Sequence, residues 1–128
     1  LQALHNFGPT SPNTFKIALY SSTASLGADT TAYTPTGEVT GTGYTTGGKT
    51  LTISVTPTFS GTTAYVSFAD VAWSGATLTA AGALIYNSTN GNRAVAVLNF
   101  GGNKTVTASS FIVQFPTASS TTAIIRVV

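Results

Sequence analysis

Between Ala80 and Gly101 two apolar runs, Ala83–Tyr86 and Arg93–Phe100, flank a polar segment that contains Asn90-Gly91. Asn and Gly tolerate the positive φ of a tight connection, so this stretch predicts a β-hairpin. Strict alternation places Ala94, Ala96, Leu98 and Phe100 on one face of the second arm, and Val95 and Val97 on the other. A strand that is apolar on both faces has to be covered on both. In a small all-β chain a second sheet covers one face. The other then falls to a loop, an N-terminal arm or a neighbouring molecule.

The same period-2 pattern recurs along the chain. Phe15–Tyr20 carries Phe15, Ile17 and Leu19 on one face; Leu51–Val55 carries Leu51, Ile53 and Val55 on one and Thr52 and Ser54 on the other, with Pro57 expected to end it. Ala64–Trp73 is long enough for a central strand. Lys104–Thr107, Phe111–Phe115 and Ala123–Val128 complete about eight strands. Ser21–Thr36 is polar and turn-rich. Gly37–Gly48 holds five glycines, so its order is entropically costly and it is either mobile or held by contacts outside itself. Leu1–Phe7 is too short for a stable isolated helix and is followed by the breakers Gly8, Pro9 and Pro12. The expected organisation is an arm over residues 1–14 and, over 15–128, a single-domain antiparallel β-sandwich, jelly-roll-like, with about eight strands.

Composition changes the picture in one respect. At 128 residues the chain can own a real core, yet Asp, Glu, Lys and Arg make up 6% of it, against about 25% in ordinary soluble domains. Over a folded surface of roughly 6,000 Å², each formal charge serves about 800 Å². The exterior therefore relies on Thr, Ser, Asn and Gly, which desolvate far more cheaply than ions and suit a surface that other protein covers. The net charge of +2 comes from scattered Lys16, Lys49, Arg93, Lys104 and Arg126, with no footprint for nucleic acid. No apolar run reaches membrane-spanning length, and without cysteine there is neither a disulfide nor a thiolate metal site.

Catalysis is poorly supplied. Asp29, Glu38 and Asp70 are the side-chain carboxylates and His5 the lone histidine. A Ser-His-Asp site would have to borrow His5 from the arm, and no serine lies in a nucleophile-elbow sequence. Asp70, within an apolar strand pattern, reads as an ion-pair or backbone hydrogen-bond partner. The chain is expected to be non-enzymatic, with no cofactor and no metal. Tyr20, Tyr33, Tyr44, Tyr65, Tyr86 and Trp73 could form a sugar-stacking platform, against a competing role in the core or at a protein contact. Asn87-Ser88-Thr89 and Asn103-Lys104-Thr105 fit the N-glycosylation pattern, which arises readily by chance in a Thr-rich chain.

The order FKIALYSSTASLGADTTAYTPTGEVTGTGYTTGGKTL, AYVSFADVAWSGATLTAAGALIYNSTNGNRAVAVLNFGGNKT and FIVQFPTASSTTAIIRV resembles a group of small virion structural proteins of tailed bacteriophages. The segments GEVTGTGY and GALIYNSTNGNRAVAVLNFGG carry most of it, and it extends over nearly all of Phe15–Val128. The resemblance implies residues before Leu1, no active site, and a building block of the phage particle. Joined to the residue pattern, it leads to an expected capsid decoration or cement protein: a homo-oligomer, a trimer or other small ring, bound to the major capsid protein of the virion, with neither nucleic acid nor membrane as partner. A tail, collar, baseplate or fibre component is the alternative within the class, and a carbohydrate-binding β-sandwich module the alternative outside it. The expected contacts are Leu1, Leu4 and Phe7 of the arm, Val39 and Tyr44 of the Gly-rich segment, and Tyr86, Val95 and Val97 of the hairpin.

Overall fold

The computed structural model describes residues 5–116, 119, 121–123 and 125–127. Leu1 and Leu4 lie outside them. Seven strands occur among the described residues, all paired antiparallel: β1 (Phe15–Tyr20), β2 (Lys49–Thr50), β3 (Ile53–Ser60), β4 (Thr63–Phe68), β5 (Val71–Asn87), β6 (Arg93–Val113) and β7 (Ile125–Val127). They make a four-stranded sheet in the order β2-β1-β5-β6 and a three-stranded sheet in the order β3-β4-β7. No helix forms among the described residues, and β2 is two residues long.

Alternation explains the core. Phe15, Ile17 and Leu19 of β1 pack with Phe68 of β4, Trp73, Leu78 and Ile85 of β5, and Phe111 and Val113 of β6. Ile53 and Ile125 of the three-stranded sheet lie half-buried against the same cluster, so the two sheets share one interior. Each fully buried Leu, Ile or Phe contributes roughly 1.5–3 kcal/mol relative to its exposed state.

The long hairpin forms, and it is longer than its apolar arms. β5 and β6 pair from Val71↔Val113 to Asn87↔Arg93. The positive-φ residues of the turn are Gly91 (64°) and Asn92 (56°), so Asn92 takes the role expected of Asn90. Lys104–Thr107 and the start of the expected Phe111–Phe115 strand belong to β6 instead of forming separate strands. The predicted break at Gly101-Gly102 is a bulge within it: β6 runs from Asn99 to Lys104 while β5 moves from Gly82 to Ala80.

A second bulge corrects the facing of β6. Ile85 pairs with Ala96 and Tyr86 with Ala94, which leaves Val95 opposite no residue of β5. The alternation slips by one position there. Ala94 packs against Tyr86 and Leu84 on one face, whereas Val95, Ala96, Leu98 and Phe100 pack against the main core. Two further boundaries differ from expectation. The run Ala64–Trp73 is cut at Ala69-Asp70, where the chain leaves one sheet for the other. Pro57 does not end its strand; it sits where the β3–β4 register slips between Val55↔Ser67 and Thr58↔Tyr65, and a bulged edge strand tolerates the missing N–H.

Candidate functional site

The face of the four-stranded sheet that looked short of cover is closed by the chain itself. Ala18, Tyr20, Leu84 and Tyr86 are buried under Ala24, Leu26 and Tyr33 of the segment between β1 and β2. Tyr33 stacks on Tyr86 with ring centroids 4.8 Å apart. The anchor beneath is Glu38. Its Oε2 accepts a hydrogen bond from the Tyr33 hydroxyl at 2.6 Å, and its Oε1 accepts from the Tyr44 hydroxyl at 2.5 Å and from the Gly47 amide at 2.8 Å. Tyr86 donates to the Gly47 carbonyl at 2.6 Å, and Tyr20 to the Thr34 carbonyl at 2.6 Å. The three bonds to the Glu38 carboxylate are charge-assisted and so the stronger ones of the set.

This cluster also accounts for the Gly-rich segment, which is held by contacts outside itself. Val39 N–H donates to the Leu19 carbonyl, and the Leu19 amide donates to the Tyr44 hydroxyl at 3.0 Å, so a phenol continues the ladder along β1. Gly48, at φ +78°, lies so close to β1 that a Cβ would run into the Ile17 carbonyl. Burial is the largest cause pushing all four tyrosines up. Tyr20 reaches about 12; Tyr33 and Tyr44, which donate to the Glu38 carboxylate, go higher still, and Tyr86 rises with them.

Several of the expected contact residues lie inside the fold. Val39 (4% exposed) and Tyr86 (3%) are interior residues, because the loop and β1 bury them before any partner arrives. Tyr44 is half-buried with its hydroxyl turned to Glu38. Val95 is half-buried against the core and Phe7 stacks on Phe15 at 4.4 Å. Among the expected contacts in the described residues, Val97 alone is exposed, at 37%. Trp73 (1%) and Tyr20 (1%) are interior too, and Tyr33 and Tyr65 are half-buried, so none of the six aromatics considered for sugar stacking is fully exposed.

The remaining candidate groups take structural roles. Asp70 Oδ1 accepts from the Phe115 amide at 2.8 Å, tying the junction of the two sheets to the end of β6. Asn87 is fully buried: its Nδ2 meets His5 Nδ1 at 3.1 Å and Asn13 Oδ1 at 2.9 Å, while its Oδ1 accepts from Thr89 and Asn90 amides. That buried amide is no acceptor for a glycan in the folded chain. Burial and the nearby Arg93 hold His5 below the usual histidine value. No group of three or more His, Cys, Asp or Glu that could hold a metal occurs among the described residues.

What stays open is the far end of the long hairpin and the tip of β3–β4. β6 is an edge strand. Residues 31–33 pair with its first two residues, and beyond Ala94 its outer edge has no backbone partner among the described residues. The exposed sheet face beside it presents Thr40, Thr42, Thr77, Thr79, Thr105 and Thr107 in adjacent rows, with Thr42 opposite Thr77 and Thr79 opposite Thr105. Between Ala94 and Ile125 the sequence holds one formal charge, Lys104. Two large apolar side chains stand out here: Phe59, 76% exposed at the β3–β4 tip, and Ile112, 54% exposed on β6. Sequence reading passed over both. Phe59 lies beside a Ser60-Gly61 turn with no alternating apolar partner, which marks it as a tip residue.

No known family, curated protein or solved structure matches the chain.

Proposed function

We propose that this chain is a non-enzymatic structural protein of a tailed-bacteriophage particle, a capsid decoration or cement protein that self-associates and binds the capsid shell. Its fold is read as a jelly-roll-like β-sandwich, a reading supported by the interior that its two sheets share. The observation that carries the function is the edge of β6. It is long, unpaired beyond Ala94 among the described residues, and nearly without charge. Edge strands of single molecules are normally blunted by charges or covered. Here the β5–β6 pairing shifts register at four places and Lys104 is the one charge of β6 beyond Ala94, on a surface rich in Thr, Ser and Val, whose desolvation on contact costs little. A standard interface of about 800 Å² per partner fits on such a surface without burying an ion pair. The resemblance in GEVTGTGY and GALIYNSTNGNRAVAVLNFGG supports the virion setting.

The test is sedimentation of the purified chain and its addition to expanded capsids, with copies per particle counted by imaging. Assembly into a small ring and binding in hundreds of copies is the expected result. A few copies per particle would move the protein to a tail, collar or baseplate, and an open helical array to a fibre. A strict monomer that leaves capsids bare overturns the reading.

A further inference from the structure

We propose that Phe59 is the knob of a head-to-tail contact, seated in the cleft that Phe100, Val106, Phe111 and Ile112 form along β6 of a second copy; this rests on the self-associating role above. The knob is built by local sequence. β3 and β4 close through Ser60↔Thr63, with Gly61 at φ +60°, and Phe59 faces Ala64 across the hairpin. Residues 56–62 are all exposed, so the hairpin end carries the ring clear of its own core.

The hole lies on a different strand. The cleft has a volume of about 420 Å³, and Phe100, Val106, Phe111, Ile112 and Val113 give it apolar walls. That falls in the range of roughly 300–1,000 Å³ typical of clefts that take a small organic group. Phe111 and Val113 are buried and rigidly packed, so the floor is preformed. The ring of Phe59 does not fill the cleft of its own molecule, since that ring is 76% exposed.

Charge favours a second copy as the occupant. No Asp, Glu, Lys or Arg occurs anywhere in β3 or β4, and the one charge on the cleft wall is Lys104. An incoming aromatic ring therefore meets no repulsion, and the Lys104 ammonium gains a cation–π partner from it. Knob and hole are different patches of one surface, so the contact is heterologous. Repeated from copy to copy it closes into a ring or runs on as a filament. A lipid surface fits less well, because the tip carries neither a basic residue nor a second large apolar anchor.

The experiment measures association of the full chain by sedimentation, for wild type, Phe59→Asp and Ile112→Lys, with circular dichroism to establish folding. Each variant should weaken self-association at least about 30-fold, as loss of an aromatic hot spot does. Mixing the two should restore one contact per pair, since one copy keeps its knob and the other its hole, and so give dimers that grow no further. Wild-type assembly unchanged by Phe59→Asp overturns this contact and leaves self-association standing. A wild type that stays monomeric at all concentrations overturns both. Phe59-dependent binding to phosphatidylcholine vesicles, with no loss of assembly in the variant, also overturns the contact.

Discussion

The two ends of the long hairpin are built from similar residues and end in opposite states. Near the turn, β5 offers Leu84 and Tyr86 to the face beyond the core, and a loop returns to bury them. At the far end β6 offers Ile112, and nothing among the described residues covers it. The difference lies in Glu38. One carboxylate collects two phenol hydroxyls and a backbone amide, which fixes the segment between β1 and β2 over the near end. At the far end Asp70 collects a single backbone amide, that of Phe115, and among the described residues no carboxylate gathers several partners there. Apolar character on both faces of a strand therefore does not by itself mark an interface, because an anchored segment of the same chain can cover it.

The sharpest way to break this comparison is Leu84→Ala against Val97→Ala. Leu84 is fully buried, so its truncation should cost about 3 kcal/mol of unfolding free energy. Val97 is partly exposed on the same face and should cost less than about 1 kcal/mol. Urea unfolding of the dilute chain separates the two. Equal small losses would mean that the loop does not cover this face in solution.

Next in size is the anchor. Glu38→Ala leaves the Tyr33 and Tyr44 hydroxyls and the Gly47 amide without their acceptor, and should cost about 2 kcal/mol. Thermal unfolding measures the loss, and hydrogen exchange at Gly47 and Val39 should rise with it. If the loop is held by its apolar contacts alone, exchange will not change.

How much of this was legible depended on whether the controlling contact was local. The alternation at Phe15–Tyr20 and the paired runs around Asn90-Gly91 name their strands, because period and turn chemistry are written within a few residues. The cover over Tyr86 was not legible: Glu38 lies far from Tyr86 in sequence, and a lone Glu in a Gly-rich stretch does not say which hydroxyls it will collect. The bulge at Val95 was invisible for the same reason, since register is a property of two strands, and one unpaired residue reversed the facing assigned to Ala94. Gly101-Gly102 did signal a discontinuity, though not whether it would end the strand or bulge it. Among the exposed apolar residues, Val97 was singled out by its place on the hairpin, while Phe59 and Ile112 were hidden by the habit of assigning apolar residues to a core.

A smaller effect tests the same anchor through pH. The unfolded tyrosines titrate near 10, whereas Tyr20 in the folded chain is pushed up to about 12 and Tyr33, Tyr44 and Tyr86 are raised as well. Below pH 10 both states keep these phenols neutral and stability is unaffected. Above it the unfolded chain releases protons first, so stability falls as pH climbs from 10 through 12. Tyrosinate absorbance from these residues should appear together with unfolding. Tyrosinate forming well before the fold is lost would mean that the four hydroxyls stand open to solvent.

The smallest expected change in stability is the most telling for the far end. Phe59→Ser removes a ring that is 76% exposed, so the free energy of unfolding should shift by no more than about 0.5 kcal/mol. A residue that contributes to the fold and one that contributes to a contact are told apart by this asymmetry. Leu84→Ala changes unfolding of the isolated chain and alters assembly only through it. Phe59→Ser leaves the isolated chain as stable as before, so any change in sedimentation must arise between molecules. A loss of several kcal/mol on Phe59→Ser would place the ring inside the folded chain in solution, and the far end would then be closed by its own material, as the near end is.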